Sequence, residues 1–234
     1  MFIVTEVAPY RHGPAGVHGV LPQAAVALSE LASLAGLRPR TVTDVSNITP
    51  DHLESGGVLA LFTIGETPWS DAQRAAVESA VGEGRLGVLG IHSATDSSHG
   101  WGYYGTMLGA RFDGHPWTAR FPIEVVDREH PATRALPDHW EWHDEVYLFK
   151  DLRDDARVLL EVTPDSLDMQ VAGARVPECG LPLAWCHEEG RGRVFQTALG
   201  HFPSAWENPT YLAYLQGGLG WVLEGDSWSP DAAA

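Results

Sequence analysis

The first half of the chain alternates short apolar runs with stretches of helical periodicity. Apolar residues recur at helical spacing over residues 20–35, and Gly36 follows where a C-terminal cap is expected. A capping-box start at Ser70 and Gln73 predicts a second helix that runs to about Val81. The runs that predict strands cover residues 2–7, 40–43, 58–64 and 86–92. This order predicts an α/β fold with a parallel sheet and helices on both faces.

The second half of the chain has a less regular pattern. Residues 121–126 and 157–162 predict strands, and residues 183–187 and 193–198 predict a hairpin around a glycine-bearing turn. A last helix is predicted from Pro209 to about Leu223. Because the chain has neither a repeat nor a low-complexity linker, we predict a single domain over residues 1–226 and a C-terminal tail at 227–234.

The composition, and above all the net charge, indicates which classes of partner the protein can bind. The 234 residues are 44% hydrophobic and 20% charged, as in ordinary globular proteins, and the formal net charge is −16. This charge opposes binding to nucleic acid or to an anionic membrane surface, so we expect a small-molecule partner. Cys179 and Cys186 form no disulfide framework, and the N-terminus has no signal-peptide pattern. We therefore expect a cytoplasmic protein with reduced thiols.

Histidines supply the candidate chemistry. Five of the eleven histidines follow predicted strands or lie in neighbouring loops: His12, His92, His115, His143 and His201. The carboxyl ends of parallel strands converge on one edge of a sheet, so we predict a shared polar pocket, with a structural role as the alternative for each histidine. The other six are predicted to be exposed: His18, His52, His99, His130, His139 and His187.

The turn after the fourth strand, Gly-Ile-His-Ser-Ala at residues 90–94, has the small flanking residues of a nucleophile elbow. His92 occupies the apex, where a cysteine or serine nucleophile normally lies. Ser93 as a nucleophile remains open, although it lies off the apex. The favoured interpretation is that the Ser93 hydroxyl and nearby backbone N–H groups bind a substrate oxygen.

Two kinds of chemistry are compatible with the pocket. A divalent ion such as zinc is one, with His92, His143 and His201 as the predicted ligands, although no HExxH motif or compact ligand spacing supports it. General acid–base catalysis by His92, His201, His143 and Glu145 is the other. Tyr147 and Trp221 are predicted to be core residues. The predicted substrate-binding residues are Arg11, His12, Ser93, Asp113, His115, Trp117 and Tyr104.

Several motifs in order along the chain resemble the ThuA-like family, which is named for a trehalose-utilisation protein. The matching segments are residues 10–12, 87–94, 104–117, 130–137, 143–149, 182–185 and 190–201. The resemblance implies a flavodoxin-like sheet similar to that of class I glutamine amidotransferases. In those enzymes a cysteine occupies the elbow and a histidine comes from a late strand. His92 takes the place of that cysteine and His201 matches that histidine, so glutaminase activity is not expected.

The family resemblance also implies carbohydrate or glycoside metabolism, in some members alongside oxidoreductases that make 3-keto sugars. One hypothesis is an enzyme that hydrolyses, eliminates or isomerises a sugar, a glycoside or a 3-keto-glycoside. A second is a non-catalytic sugar-binding or regulatory partner, and a third is an amidotransferase-like scaffold. Functional pairing with a sugar oxidoreductase and a homodimer formed through a helix or an exposed aromatic surface are both compatible with the sequence, which leaves them open.

Overall fold

The computed structural model describes residues 1–10, 13–15 and 18–228. The strands are β1 (Phe2–Val4), β2 (Pro9–Tyr10), β3 (Gly13–Ala15), β4 (Arg40–Val42), β5 (Gly57–Leu61), β6 (Leu86–Ile91), β7 (Arg111–Phe112), β8 (Trp117–Val125), β9 (Trp140–Val146), β10 (Phe149–Lys150), β11 (Arg157–Glu161), β12 (Pro182–Glu189) and β13 (Gly192–Thr197). The helices are α1 (Leu21–Leu34), α2 (Pro50–Glu54), α3 (Asp71–Gly82), α4 (Gly102–Leu108) and α5 (Pro209–Glu224).

Within the described residues the main sheet has nine strands in the order β4-β1-β5-β6-β13-β12-β11-β8-β9. The strands from β4 to β13 pair in parallel, and those from β13 to β9 pair antiparallel. The predicted α/β, flavodoxin-like class is confirmed. The antiparallel half follows from the hairpin of β12 and β13, because a short turn can join only antiparallel neighbours. The domain boundary at residue 226 stays a prediction, and residues 229–234 of the tail lie outside the described residues.

Helices cover both faces of the sheet. One core cluster includes apolar residues of α1 and α5, and a second includes those of α3 and α4. The predicted helix starts and ends are confirmed: Ser70 Oγ accepts the Gln73 N–H in a capping box, and Gly36 ends the first helix with a φ of +71°. In the part of the chain that the structure describes, none of the helices has the length and apolarity needed to cross a bilayer.

The ladder of β8 and β9 carries residues to the site from the edge of the sheet. Its register pairs Trp117 with Val146 at one end and Ile123 with Trp140 at the other. β8 joins β11 only through Glu124 and Val125. The other residues of the β8–β9 ladder therefore extend past β11 without pairing with it. β9 is absent from the predicted strands because its apolar–polar alternation breaks at two consecutive buried acidic residues.

Two histidines predicted to be exposed are buried, so that prediction is wrong for them. His130 is fully buried between Phe195 and Trp221, and its Nδ1 accepts the Ala132 N–H. His187 lies on β12, and its Nε2–H donates to the Met107 carbonyl. Burial lowers the pKa of both imidazoles to about 4, so both are neutral near pH 7. These positions are buried by strands and helices that are distant in sequence. A local sequence pattern therefore does not predict their burial.

Candidate functional site

His92 lies at the apex of a tight turn that follows the central strand β6. Its φ is +47°, a left-handed conformation that is rare for a non-glycine residue, and a 3₁₀ turn begins at the same position. A Cβ at Gly90 would overlap the Gln196 side chain, so glycine is required two residues earlier. The predicted elbow with His92 at its apex is confirmed. Neither Cys179 nor Cys186 lies at this turn, and burial raises the pKa of both thiols.

The hydrogen bonds of His92 determine which of its nitrogens carries the proton. Nδ1 lies 2.6 Å from the Ala198 carbonyl, which can only accept, so Nδ1 donates. Nε2 therefore accepts, and the Tyr147 hydroxyl donates to it at 2.8 Å. Burial and the nearby Glu145 charge raise the pKa of Tyr147 well above 10, so this hydroxyl stays protonated. Tyr147 is buried, as predicted for a core residue, but its hydroxyl belongs to the site.

His201 and Glu145 complete a compact group of donor and acceptor atoms with His92. His92 Nε2 lies 3.2 Å from His201 Nδ1, and Glu145 Oε2 lies 3.4 Å from each of these nitrogens. The His201 side chain is 26% exposed, whereas that of Glu145 is 11% exposed and that of His92 is fully buried. A ligand that enters the pocket therefore meets His201 first.

Asp144 holds the turn that carries His201. Its buried carboxylate accepts the backbone N–H groups of Gly200 at 2.8 Å and His201 at 3.3 Å. It also accepts the indole N–H of Trp142 and the N–H of Glu145. Four N–H groups thus donate to this carboxylate. Its role is to position His201, and it has no oxygen left free for a ligand.

The charges of the group follow from burial and from close neighbours. Burial alone would raise the pKa of Glu145, but the imidazoles of His92, His201 and His115, which are protonated in acid, lower it to about 2 through a hydrogen bond from His92 and through their charges. Burial lowers the pKa of His201, and the Glu145 charge only partly opposes this effect. At neutral pH the site therefore combines an ionised carboxylate with a neutral His201.

His18 joins the site from the segment just before α1. Its ring lies 5.1 Å from that of His92 and 5.3 Å from that of His201, between centroids. Burial lowers its pKa to about 4, and its two ring nitrogens have no hydrogen-bond partner among the described residues. The prediction that His18 is an exposed residue is wrong. Its place just ahead of a helix gives no sign in the sequence that the residue lies beside the strand ends that form the site.

Acid should destabilise the fold through its buried histidines. His18, His130 and His187 each have a lowered pKa, so the unfolded chain binds more protons than the folded chain between about pH 6.5 and 4. The free energy of unfolding should therefore fall as the pH falls through this window, with uptake of about three protons. Urea titrations between pH 4.5 and 7 measure this slope. His130→Phe should lower the number of protons taken up on unfolding by about one. His139→Gln, a control at an exposed histidine, should leave that number unchanged. Equal slopes of unfolding free energy against pH in the two variants would contradict the assignment.

The three atoms of His92, His201 and Glu145 have the spacing of a zinc site. Ligand atoms about 2.0–2.1 Å from a tetrahedral ion lie about 3.3–3.4 Å apart, and the separations here are 3.2, 3.4 and 3.4 Å. Two imidazoles and one carboxylate form a donor set of catalytic zinc sites, which leave a fourth position open. The residues present therefore fit such an ion. His18 also has a ligand atom within 4.8 Å of those of His92 and His201.

Other predicted site residues lie at different distances from this group. His115 approaches it, with Nδ1 3.6 Å from Glu145 Oε1, and Ser93 is buried beside the apex with a hydroxyl that has no hydrogen-bond partner among the described residues. His143 is exposed and stacks on Phe202, so His18 rather than His143 accompanies His92 and His201. Arg11 and His12 lie outside the described residues.

Three residues predicted to bind substrate have structural contacts instead. Tyr104 lies on α4 and is buried in the core, and its hydroxyl lies 3.2 Å from Thr63 Oγ1. Trp117 is buried, and its indole donates to the Asp168 carbonyl. Asp113 pairs with Arg175 and Lys150. The two aromatic rings thus pack in the core and the carboxylate forms a surface ion pair, and the role of these residues in substrate binding stays a prediction.

Comparison with known proteins gives a consistent picture. A family model described as "ThuA: Trehalose utilisation" matches residues 8–222. A ThuA-like protein of Bacteroides uniformis superposes with a TM-score of 0.74 at 22% identity, covering 97% of this chain and 92% of that one. A ThuA-like protein of Parabacteroides merdae gives 0.73 at 15% identity, covering 96% and 90%.

A third structure extends the likeness of fold. A Thermoplasma acidophilum protein that bears the name of a GMP synthase component superposes with a TM-score of 0.52 at 13% identity, covering 95% of this chain and 94% of that one. At these identities the three structures support the fold alone. No curated protein matches the sequence significantly.

Proposed function

This chain belongs to the ThuA family, whose description is trehalose utilisation, and from that premise we propose that it is an enzyme of carbohydrate metabolism. Its substrate is a sugar, a glycoside or a 3-keto-glycoside, bound at the carboxyl ends of the strands. The observation that carries the proposal is the mutual approach of His92, His201 and Glu145 within 3.4 Å at the elbow. Four segments of the chain contribute to this site, as is typical of a catalytic centre in an α/β sheet.

Zinc is the ion that the group is proposed to hold, through His92 Nε2, His201 Nδ1 and Glu145 Oε2. When bound there, the ion would supply a Lewis acid that polarises an oxygen atom of the substrate. Glu145 is ionised at neutral pH and His201 is neutral, as ligation requires. Asp144 fixes the backbone of His201, and Ala198 fixes the ring of His92, so the ligand atoms are held in place before substrate binds.

Proton transfer is assigned to His18 and Tyr147. His18 is neutral at pH 7, and its ring nitrogens have no described protein partner, so it can accept a proton from the reacting group. Tyr147 remains protonated, and an ion held at His92 Nε2 would take the lone pair that now accepts from its hydroxyl, which would free that hydroxyl to donate a hydrogen bond to a developing negative charge. An acceptor and a donor that both pack against the His92 ring support proton transfer at a carbon or hydroxyl next to a carbonyl.

A reaction with two catalytic carboxylates has less support. Most glycosidases place two free carboxyl groups on either side of the glycosidic bond. Among the described residues, Asp144 is occupied by four N–H groups and Asp96 is bound to Tyr10 and His99, which leaves Glu145 as the carboxylate in contact with both His92 and His201. The donor set therefore favours elimination or isomerisation of a 3-keto-glycoside, or ion-assisted hydrolysis, over direct hydrolysis by a carboxylate pair.

Conversion of saccharides with and without the ion tests the proposal. Purified wild type is incubated with trehalose and with 3-keto-trehalose, and products are followed by ¹H NMR. We expect conversion that stops after chelation and returns when zinc is added, with about one ion per chain by elemental mass spectrometry. Saturable binding without conversion would instead identify a non-catalytic sugar-binding protein. Conversion that persists in chelator at zero metal content would contradict the zinc assignment.

A further inference from the structure

A surface next to the elbow has the features of a second binding site. In β9, His143 and Glu145 are two residues apart, so they lie on the same face of the strand, about 7 Å apart along it. The register pairs Glu145 with Thr118 and His143 with Arg120 on β8. Residues that pair across strands share a face, so Thr118 and Arg120 extend the same surface away from Glu145.

An aromatic platform lies on this surface. The His143 ring stacks on Phe202 with centroids 4.7 Å apart and an interplanar angle of 19°. Phe202 in turn packs edge-on against His201 at 4.7 Å. His143 is exposed and Phe202 is half-buried, and neither belongs to a core cluster. This pair is therefore a ring stack at the surface, and it leads directly to the His201 side of the pocket.

Arg120 adds hydrogen-bond donors beside the platform. Its side chain is exposed, and within the described part of the chain it has neither an ion-pair partner nor a side-chain hydrogen bond. Its diagonal neighbours on β9 are Glu141 and Glu145, of which Glu145 already contacts three imidazoles. One guanidinium between two carboxylates leaves the surface without net positive charge, so it favours a neutral ligand with many hydroxyls over an anion.

We propose that Arg120, His143 and Phe202 form a second saccharide subsite, so that the substrate is a neutral glycoside of two rings rather than a monosaccharide. This inference rests on the proposed function, because the first ring is the one that the elbow receives. The apolar C–H face of a pyranose covers the platform, and the five N–H donors of Arg120 bind its hydroxyls. Phe202 contacts His201 at 4.7 Å between ring centroids, so a sugar ring on the platform adjoins the ring that the elbow receives.

Affinities for one-ring and two-ring sugars test the subsite. Trehalose and glucose are titrated by calorimetry into wild type, Arg120→Ala and Phe202→Ala. Arg191→Ala serves as control, because Arg191 is an exposed arginine in the turn between β12 and β13, just before β13 begins and therefore at the opposite end of that strand from His201. We expect wild type to bind trehalose more tightly than glucose. The two subsite variants should lose about five- to tenfold for trehalose and nothing for glucose, and the control should match wild type.

Each other outcome has a defined meaning. Equal affinities of wild type for trehalose and glucose, or unchanged trehalose binding in both variants, overturn the subsite and leave the proposed function standing. No binding of trehalose, glucose or 3-keto-trehalose overturns the proposed function, and the subsite with it. Tighter, Arg120-dependent binding of trehalose 6-phosphate than of trehalose overturns the neutral ligand class. Melting temperatures of the variants within a few degrees of wild type confirm that the losses are local.

Discussion

Replacing His18 by alanine should lower kcat by about 10²- to 10⁴-fold while the protein keeps its metal ion. In the proposed mechanism His18 accepts a proton but is not one of the three closely spaced ligands, which are His92, His201 and Glu145. His201→Ala should abolish both turnover and metal binding, because it removes a ligand atom. Steady-state kinetics on the converted saccharide and elemental mass spectrometry on the same preparations measure the two effects separately.

The pair of variants distinguishes proton transfer from ligation only if the fold survives. His18 and His201 are both partly exposed, so their truncation should move the melting temperature by only a few degrees. His139→Ala, at an exposed histidine outside the site, should retain full activity and full metal content. Added imidazole should restore part of the activity of His18→Ala, since it can occupy the vacated space. Loss of the ion in His18→Ala, with retention in His201→Ala, would reverse the assigned roles.

The parallel half of the fold could be predicted because its signals are local. Periodicity and capping residues identified α1 and α3 nearly to the residue, and Gly36 ended α1 as expected. The elbow was also local, since small residues on both sides of His92 mark a tight turn. The β8–β9 ladder was not predicted as a pair. Its strands are joined by a long segment, and the buried acidic residues of β9 interrupt the usual alternation.

The site residues that follow predicted strands could be predicted from the sequence. His18, which precedes a helix, and the buried Tyr147 could not. His92, His201, Glu145 and His115 meet as expected, from elements far apart in sequence. Tyr147 and His18 were missed, because a buried tyrosine and a residue ahead of a helix do not differ in sequence from core and surface positions. Tyr104 and Trp117, predicted to bind substrate, are buried in the core, because aromatic residues near a motif are often core residues.

Asp144→Asn should destabilise the fold by about 3 kcal/mol and lower activity as well. Asp144 Oδ2 accepts from the Trp142 indole and the Gly200 N–H, and Oδ1 accepts from the N–H groups of Glu145 and His201. Whichever way the asparagine amide turns, its NH₂ group faces two N–H donors. Two hydrogen bonds to a charged acceptor, each about 1.5–3 kcal/mol, are then lost in a fully buried position. Relief from burying a charge offsets part of that loss.

The exposed Asp113 provides the matched control for this change. Asp113→Asn removes a carboxylate that pairs with Arg175 and Lys150 at the surface, where an ion pair contributes about 0–1 kcal/mol. Urea unfolding of both variants at pH 7 measures the difference. If Asp144→Asn were as stable as Asp113→Asn, Asp144 would not hold the Gly200–His201 turn. If it were unstable but fully active, the turn would matter to folding and not to the placement of His201. We expect loss of both, because the same carboxylate stabilises the turn and fixes a ligand of the site.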